Sequence, residues 1–475
     1  MSQPRFAVEA IDLFERPVRL RMPFRYGVVT LTAAPQAFVR ATIRLEGGGK
    51  SVGAAAEMMA PKWFDKDPAR TDEENVEQLR ESLSLARAAY LAGGENSAFG
   101  HWRKHYSGQI ERAARAGLNS LTACYGPALI DRALLDALCR ALGVSFYRAL
   151  RSNLPGIGAA GLDMDEFLAR LAPQAEIAAR HTVGLTDPIT AEDQQERVND
   201  GLPETLEEVV ERYGQRYFKL KVDGNPSTAV ERLSSIAAVL DRIESPYHVT
   251  LDGNEQYADV EGVLDLWRQV TTNSRLKRLA RSVLFIEQPI ARQLALALDI
   301  APLARDVPVI IDESDDSLDA FLRARELGYA GVSSKTCKGL YKSFLNAARC
   351  VVWNRVERTD RYFMSGEDLT VQAGLALQQD LALVALLGIR HVERNGHHYA
   401  NGMAAAPEHE QKAFLAAHPD LYEISHGAAR PRIRDGMLSI ASLDCAGYAS
   451  GALPDWEALP SMKVAAQTEA KSPIS

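Results

Sequence analysis

Between His181 and Asn395 the sequence alternates eight short β-rich runs with amphipathic stretches, and no other feature constrains the fold as tightly. The runs are HTVGLTD, RYFKLKV, YHVTLDG, VLFIEQP, VPVIIDE, YAGVSSK, RYFMSGE and IRHVERN; segments such as NPSTAVERLSSIAAVLDRIE and KSFLNAARCVVWN lie between them. Apolar strands alternating with helices pair in parallel, with the helices covering the sheet. Eight such units in roughly 220 residues match a (β/α)8 barrel.

The 475 residues leave room for a second domain of roughly 150–200 residues. Ala7 to Met59 is strand-like, with Gly47–Gly49 as a hairpin turn. Asp72 to Leu150 turns helical, as in ENVEQLRESLSLARAAYLAG and PALIDRALLDALCRALG. The expected division is an α+β capping domain over 1–155, the barrel over 156–405, and a C-terminal segment over 406–475 that returns to the cap. Within that segment PRIRDGMLSIASL reads as a hairpin or return strand, and SPIS as a frayed tail.

Charged residues fall where the strands of such a barrel end. Lys219 and Lys221 close one run, and Asp252, Glu287, Asp312 and Lys335 stand near the ends of the next four, separated by 35, 25 and 23 residues. Each step is about one βα unit, and the C-terminal strand ends converge on one mouth. Three unpaired carboxylates around one point repel unless a cation sits among them, and all-oxygen ligation is the habit of Mg2+. Lys219 and Lys221 share a strand face, about 6–7 Å apart, while Lys335 approaches from the opposite side. Amines flanking a metal-bound ligand suit proton removal on one face and return on the other. Mutual repulsion and an adjacent dication disfavour their charged forms, and a lysine base must fall from ~10.4 towards ~7–8.

Composition narrows the partners. Fifty-four Lys and Arg against 62 Asp and Glu give a net charge of −8, which opposes nucleic acid or an anionic membrane surface as partner. Five scattered cysteines make neither a disulfide framework nor a zinc motif. No signal-peptide pattern and no apolar run of ~20 residues is present, so the cytoplasm is the expected location. No glycine-rich dinucleotide or phosphate-loop fingerprint stands in the right context.

The ordered runs FKLKVDGNP, TLDGNEQY, FIEQPI, IIDES and SSKTCKGL resemble the enolase superfamily, particularly its muconate lactonizing enzyme-like branch. The helix ALIDRALLDALCRALG is similar to that family's passage from cap to barrel. The resemblance implies an enolase-like modified barrel whose N-terminal cap is completed by the C-terminal segment. It implies abstraction of the proton α to a carboxylate, giving a metal-stabilised enediolate. Lys221 is then the acid/base on one face and Lys335 on the other, Lys219 assists electrostatically, and Asp252, Glu287 and Asp312 hold Mg2+. Asn254 and Glu313 become supporting residues, with Glu313 orienting a lysine. A small-molecule carboxylate substrate and homo-oligomeric association are implied too. Racemisation, epimerisation or cycloisomerisation is the leading outcome. Acid-sugar or hydroxy-acid dehydration and an acid-binding barrel without turnover are alternatives, and a lysine Schiff-base aldolase is disfavoured by the three carboxylates.

Departures sharpen this. Ser333 stands where the branch often has Asn or Asp, and FMSGEDLT carries Glu367 and Asp368 but no histidine, which disfavours the mandelate racemase branch. The last strand has Glu393, Arg394 and Asn395 rather than the D-x-D of dipeptide epimerases. A helical insertion over 70–118 lengthens the cap. Two loop-like cap segments, Arg21–Gly27 and Ala55–Asp67, offer Phe24, Tyr26, Met58, Lys62 and Trp63 as specificity residues, because cap loops close over the barrel in the resembled family.

Duller readings stand beside these. A lone Lys-x-Lys is usually a solvated face, Ser314 also suits a helix N-cap, and Gly253–Asn254 suits a turn. Glu367 reads equally as a third proton carrier or as a charge at a helix entry, and Glu393 as a second supporting acid. Arg394 pairs with a substrate carboxylate or forms an internal salt bridge. His391, His397 and His398 do not match a zinc motif and read as substrate contacts or structure.

Overall fold

The computed structural model describes residues 3–463, so the SPIS tail lies outside the described residues. Strands β1 (Phe6–Tyr26), β2 (Val29–Leu45) and β3 (Lys50–Met58) form an antiparallel sheet. The expected glycine turn joins β2 to β3. Arg21–Gly27 was expected as a loop, but β1 stays extended to Tyr26 after a register shift between Arg19 and Phe24. The hairpin tip, Gly27–Val28, follows directly. Likewise Ala55–Met58 belongs to β3, and only the residues beyond it form the loop.

Four helices follow: α1 (Asp72–Leu91), α2 (Ala98–Arg115), α3 (Ser120–Ala141) and α4 (Phe146–Arg151). Helix α3 is buried without interruption from Leu121 to Cys139, the behaviour of a helix enclosed on all sides. Two glycines permit its close contacts. A side chain at Gly53 of β3 would lie 2.2 Å from the Ala133 carbonyl, and one at Gly126 would lie 2.2 Å from that of Ser82.

The barrel strands are β4 (Glu176–Val183), β5 (Tyr217–Lys221), β6 (His248–Asp252), β7 (Val283–Glu287), β8 (Val309–Ile311), β9 (Gly331–Ser334), β10 (Phe363–Gly366) and β11 (His391–Glu393). They pair in parallel in sequence order, and β11 returns to β4 to close the ring. Strands β12 (Tyr422–Ser425) and β13 (Ala428–Pro431) make a small hairpin; β14 (Met437–Ser439) is the return strand, antiparallel to β4. Beyond it Tyr448 stacks on Phe146 of α4 at 3.9 Å. The chain then runs along the cap sheet, where Glu15 N donates to Pro460 O and Met462 N to Leu13 O. Cap, barrel and returning tail therefore form the expected architecture. Among the described residues no helix is long and apolar enough to cross a membrane.

Candidate active site

Parallel register explains why sequence-distant charges meet. Lys221 lies level with Asp252 on the next strand, and Asp252 level with Glu287 on the one after. Asp312 directly follows β8, and Lys335 directly follows β9, four strands from β5. All six ring residues are buried, the lysines being at most 5% exposed.

The sequence reading treats these carboxylates as unpaired; the structure pairs them with the lysines. Lys219 Nζ lies 2.9 Å from Asp252, 2.7 Å from Glu287, 2.8 Å from Glu367 and 2.9 Å from Glu393. Lys221 Nζ lies 2.6 Å from Asp252, and Lys335 Nζ 2.6 Å from Asp312. Burial alone would discharge Lys219, but its four carboxylates outweigh burial and hold it well above the ordinary lysine range. For Lys335 burial is likewise outweighed, chiefly by Asp312, and its pKa rises. The expected depression is therefore absent from Lys219 and Lys335 in this state, because each has an anion in contact.

Among the described residues no three acidic, histidine or cysteine side chains converge at ligating distance, since ammonium groups stand between the carboxylates. The chemistry of the donors nevertheless fits a hard dication. Asn254 Oδ1 has no hydrogen-bond partner, and Glu287 Oε2 has only the Lys219 ammonium beside it. Burial, reinforced by Asp252 and Glu367, pushes Glu287 well above the ordinary carboxylate range. The site thus gathers buried carboxylate and amide oxygens, the ligand type that suits Mg2+.

Comparison with known proteins agrees with this geometry. Residues 201–346 match the family model described as enolase C-terminal domain-like. No curated protein matches the sequence. Among solved structures, the muconate lactonizing enzyme of Pseudomonas fluorescens bound to muconolactone is 17% identical, with a TM-score of 0.60 over 95% of this chain and 97% of that one. The dipeptide epimerase of Enterococcus faecalis, complexed with Mg and a dipeptide, is 15% identical, with a TM-score of 0.59 over 93% and 99%. An enolase-superfamily member from Roseovarius nubinhibens complexed with magnesium is 18% identical, with a TM-score of 0.55 over 96% and 97%. This chain has the enolase-superfamily fold.

Within that fold the remaining predicted residues divide. Glu367 and Glu393 join the ring through Lys219; Glu367 also binds Arg180, and Glu393 accepts from Thr182 at 2.6 Å. Asn254 lines the cavity over the ring, as do Phe24, Tyr26 and Trp63. Trp63 covers Lys335 at 4.3 Å from its ring centre, while Phe24 and Tyr26 cover Lys221 at 5.9 and 5.8 Å. Met58 and Lys62 do not reach this cavity. Met58 is fully buried in the cap, and Lys62 turns away to donate to Asp67 O at 2.9 Å. Glu313 meets a lysine, but that lysine is Lys66 of the cap loop, 3.4 Å away. Ser314 caps no helix; its hydroxyl accepts from Gln288 Nε2 at 2.8 Å. Arg394 is internal, spent on Asp380 and Asp368. His391 receives Arg180 at 2.9 Å, while His397 and His398 pack beside His181.

Several residues escaped the sequence reading. Lys338 binds Ser333 Oγ at 2.7 Å and lies 3.5 Å from Asp312, so the Ser333 departure is accompanied by a second lysine one helical turn after Lys335. Glu57 of β3 accepts from Thr336 at 2.8 Å and from Arg132 at 3.1 Å, linking the cap interior to the residue next to Lys335. An acid inside the apolar run AAAEMMA was the available signal. Arg292 donates to the carbonyls of Trp63 and Phe64 at 2.9 Å each and pairs with Glu255, which also binds Lys66.

Proposed function

We propose that this chain is a Mg2+-dependent enzyme of the enolase superfamily, on its muconate lactonizing enzyme-like side, that removes the proton α to a carboxylate. One observation carries the reading: Lys221 and Lys335 stand across the mouth from each other, each in contact with a different carboxylate of the set Asp252, Glu287 and Asp312. Those three acids would hold the metal. Bound there, Mg2+ would supply the positive charge that offsets the anion developing on the substrate carboxylate.

The lysines do the proton work. Neutral Lys221 takes the α-proton and becomes an ammonium; Lys335, as an ammonium, gives a proton to the opposite face. The net result is inversion at the α-carbon, and the reverse pairing serves the other enantiomer. Cycloisomerisation needs only one of these transfers. Lys219, enclosed by four carboxylates, keeps a fixed positive charge beside the reacting group, and Asn254 supports it at the cavity wall.

Exchange of the α-hydrogen for deuterium in D2O, followed by NMR over a panel of acids with Mg2+ present, tests this. Exchange that depends on added Mg2+ and is lost in Lys221→Ala is expected. Undiminished exchange in that variant would mean that Lys221 is not the base.

A further inference from the structure

The ring that carries the proposed chemistry is ionic, yet the wall that faces the rest of a substrate is not. The cap contributes Phe24, Tyr26, Ala60 and Trp63 to the cavity, and the segment after β10 contributes Leu369. Among the described residues the only cations lining it are the three ring lysines. Neighbouring cations are engaged elsewhere. Arg21 is bound to Asp200 and to the carbonyls of Pro203 and His398, Lys66 to Glu255, and Arg394 to Asp380.

The polar lining groups are largely engaged as well. The Tyr26 hydroxyl donates to Pro61 O at 3.1 Å. Asp368 accepts from the N–H groups of Val371, Asn395 and Gly396. Asn395 differs. Its Nδ2 donates to Glu393 Oε1 at 3.1 Å, and a carboxylate can only accept, so the amide orientation is determined. Asn395 Oδ1 is then a buried acceptor with no partner. Such an atom is matched by a donor from water or from a ligand, and its place in the cavity lining favours the ligand.

We infer that the substrate carries a single carboxylate, and that the part beyond it is apolar or aromatic with one hydrogen-bond donor, rather than a second acid or a run of hydroxyls. This rests on the proposed α-proton chemistry for placing the first carboxylate at the ring. A second carboxylate against the Phe24, Trp63 and Leu369 wall would lose its water with no cation to replace it beyond the ring lysines that serve the first. Each hydroxyl left unpaired there weakens binding roughly tenfold or more.

Calorimetry on the Mg2+-loaded protein with 2-phenylpropionate, 2-phenylsuccinate and gluconate tests the class, alongside α-deuterium exchange of the same acids. The monocarboxylate is expected to bind at least about tenfold more tightly than either competitor. Leu369→Lys, which adds a cation to the wall, is expected to shift the preference towards 2-phenylsuccinate, and Trp63→Arg provides a second route if that variant fails to fold. Equal or tighter binding of 2-phenylsuccinate or gluconate, or no binding of 2-phenylpropionate, overturns the inference. Selective binding without exchange would refute the proton chemistry and leave the ligand class standing. Exchange confined to the dicarboxylate or gluconate would do the reverse.

Discussion

The two sides of the mouth carry the same kind of base in different surroundings. On the β5 side Lys221 shares Asp252 with Lys219, behind which stand Glu287, Glu367 and Glu393. On the β9 side Asp312 is shared by Lys335 and Lys338, so two cations address one carboxylate. The roofs differ too. Phe24 leans on Tyr399, stacked at 4.3 Å, and belongs to a hairpin tied down through Arg21. Trp63 belongs to a loop fastened through Arg292 and Lys66 to Glu255. The lesson is that two lysines related by position around a barrel are not interchangeable. Each has a lysine neighbour, but Lys219 beside Lys221 is held by four acids, whereas Lys338 beside Lys335 is shared between Asp312 and Asp315.

The largest expected effect separates the bases. Lys221→Ala and Lys335→Ala should each reduce α-proton exchange by about 10^2–10^4-fold, each for the opposite enantiomer of a chiral acid. Loss of the same enantiomer in both variants would break the comparison. Next, Lys219→Met should cost about 3–5 kcal/mol in denaturant unfolding, because four buried carboxylates lose their common cation. Added Mg2+ should restore part of that loss. Lys338→Met should cost less, since Asp312 keeps Lys335; equal losses would show that the two sides are balanced alike.

A pH effect is expected on the Phe24 side. Burial, with Arg394, Arg430 and Arg21 nearby, lowers His397 to about 4. The unfolded chain takes up a proton below about pH 6.5 that the folded chain refuses until pH falls much further, so stability declines on acidification. For this group the loss is about 1.4 kcal/mol at pH 5.5 relative to pH 8, and His397→Gln should remove it from the stability profile. The smallest effect concerns the Trp63 side. Thr71 and Glu74 form the capping box that ends its loop and starts α1, and Thr71→Ala should cost about 1 kcal/mol in thermal unfolding.

All eight barrel strands were legible, the first only at its end, where HTVGLTD shares His181–Val183 with β4, because apolar runs of strand length alternate with amphipathic helices. The convergence of Lys219, Lys221, Asp252, Glu287, Asp312 and Lys335 was legible for the same reason, since position at a strand end is a one-dimensional property. Pairing is not. Nothing in the order of residues states that Lys219 meets Glu393, 174 positions away, or that Lys66 crosses from the cap to Glu255. The segment Arg21–Gly27 looked like a loop because Pro23 and two arginines interrupt its apolar pattern, yet pairing with β2 resumes at Phe24 and Leu31. Ser314 resembled a helix cap by spacing, while its hydroxyl serves Gln288, a contact visible only in three dimensions.

The tail that runs beside β1 has a consequence for biosynthesis. Leu13 and Glu15 find their outer hydrogen-bond partners at Met462 and Pro460, almost the full chain length away. Until those residues leave the ribosome, β1 has a bare edge along this stretch, and bare edges recruit other strands. During translation the cap therefore waits, unfinished, through the synthesis of the entire barrel, and the period of greatest aggregation risk falls before the last dozen described residues emerge.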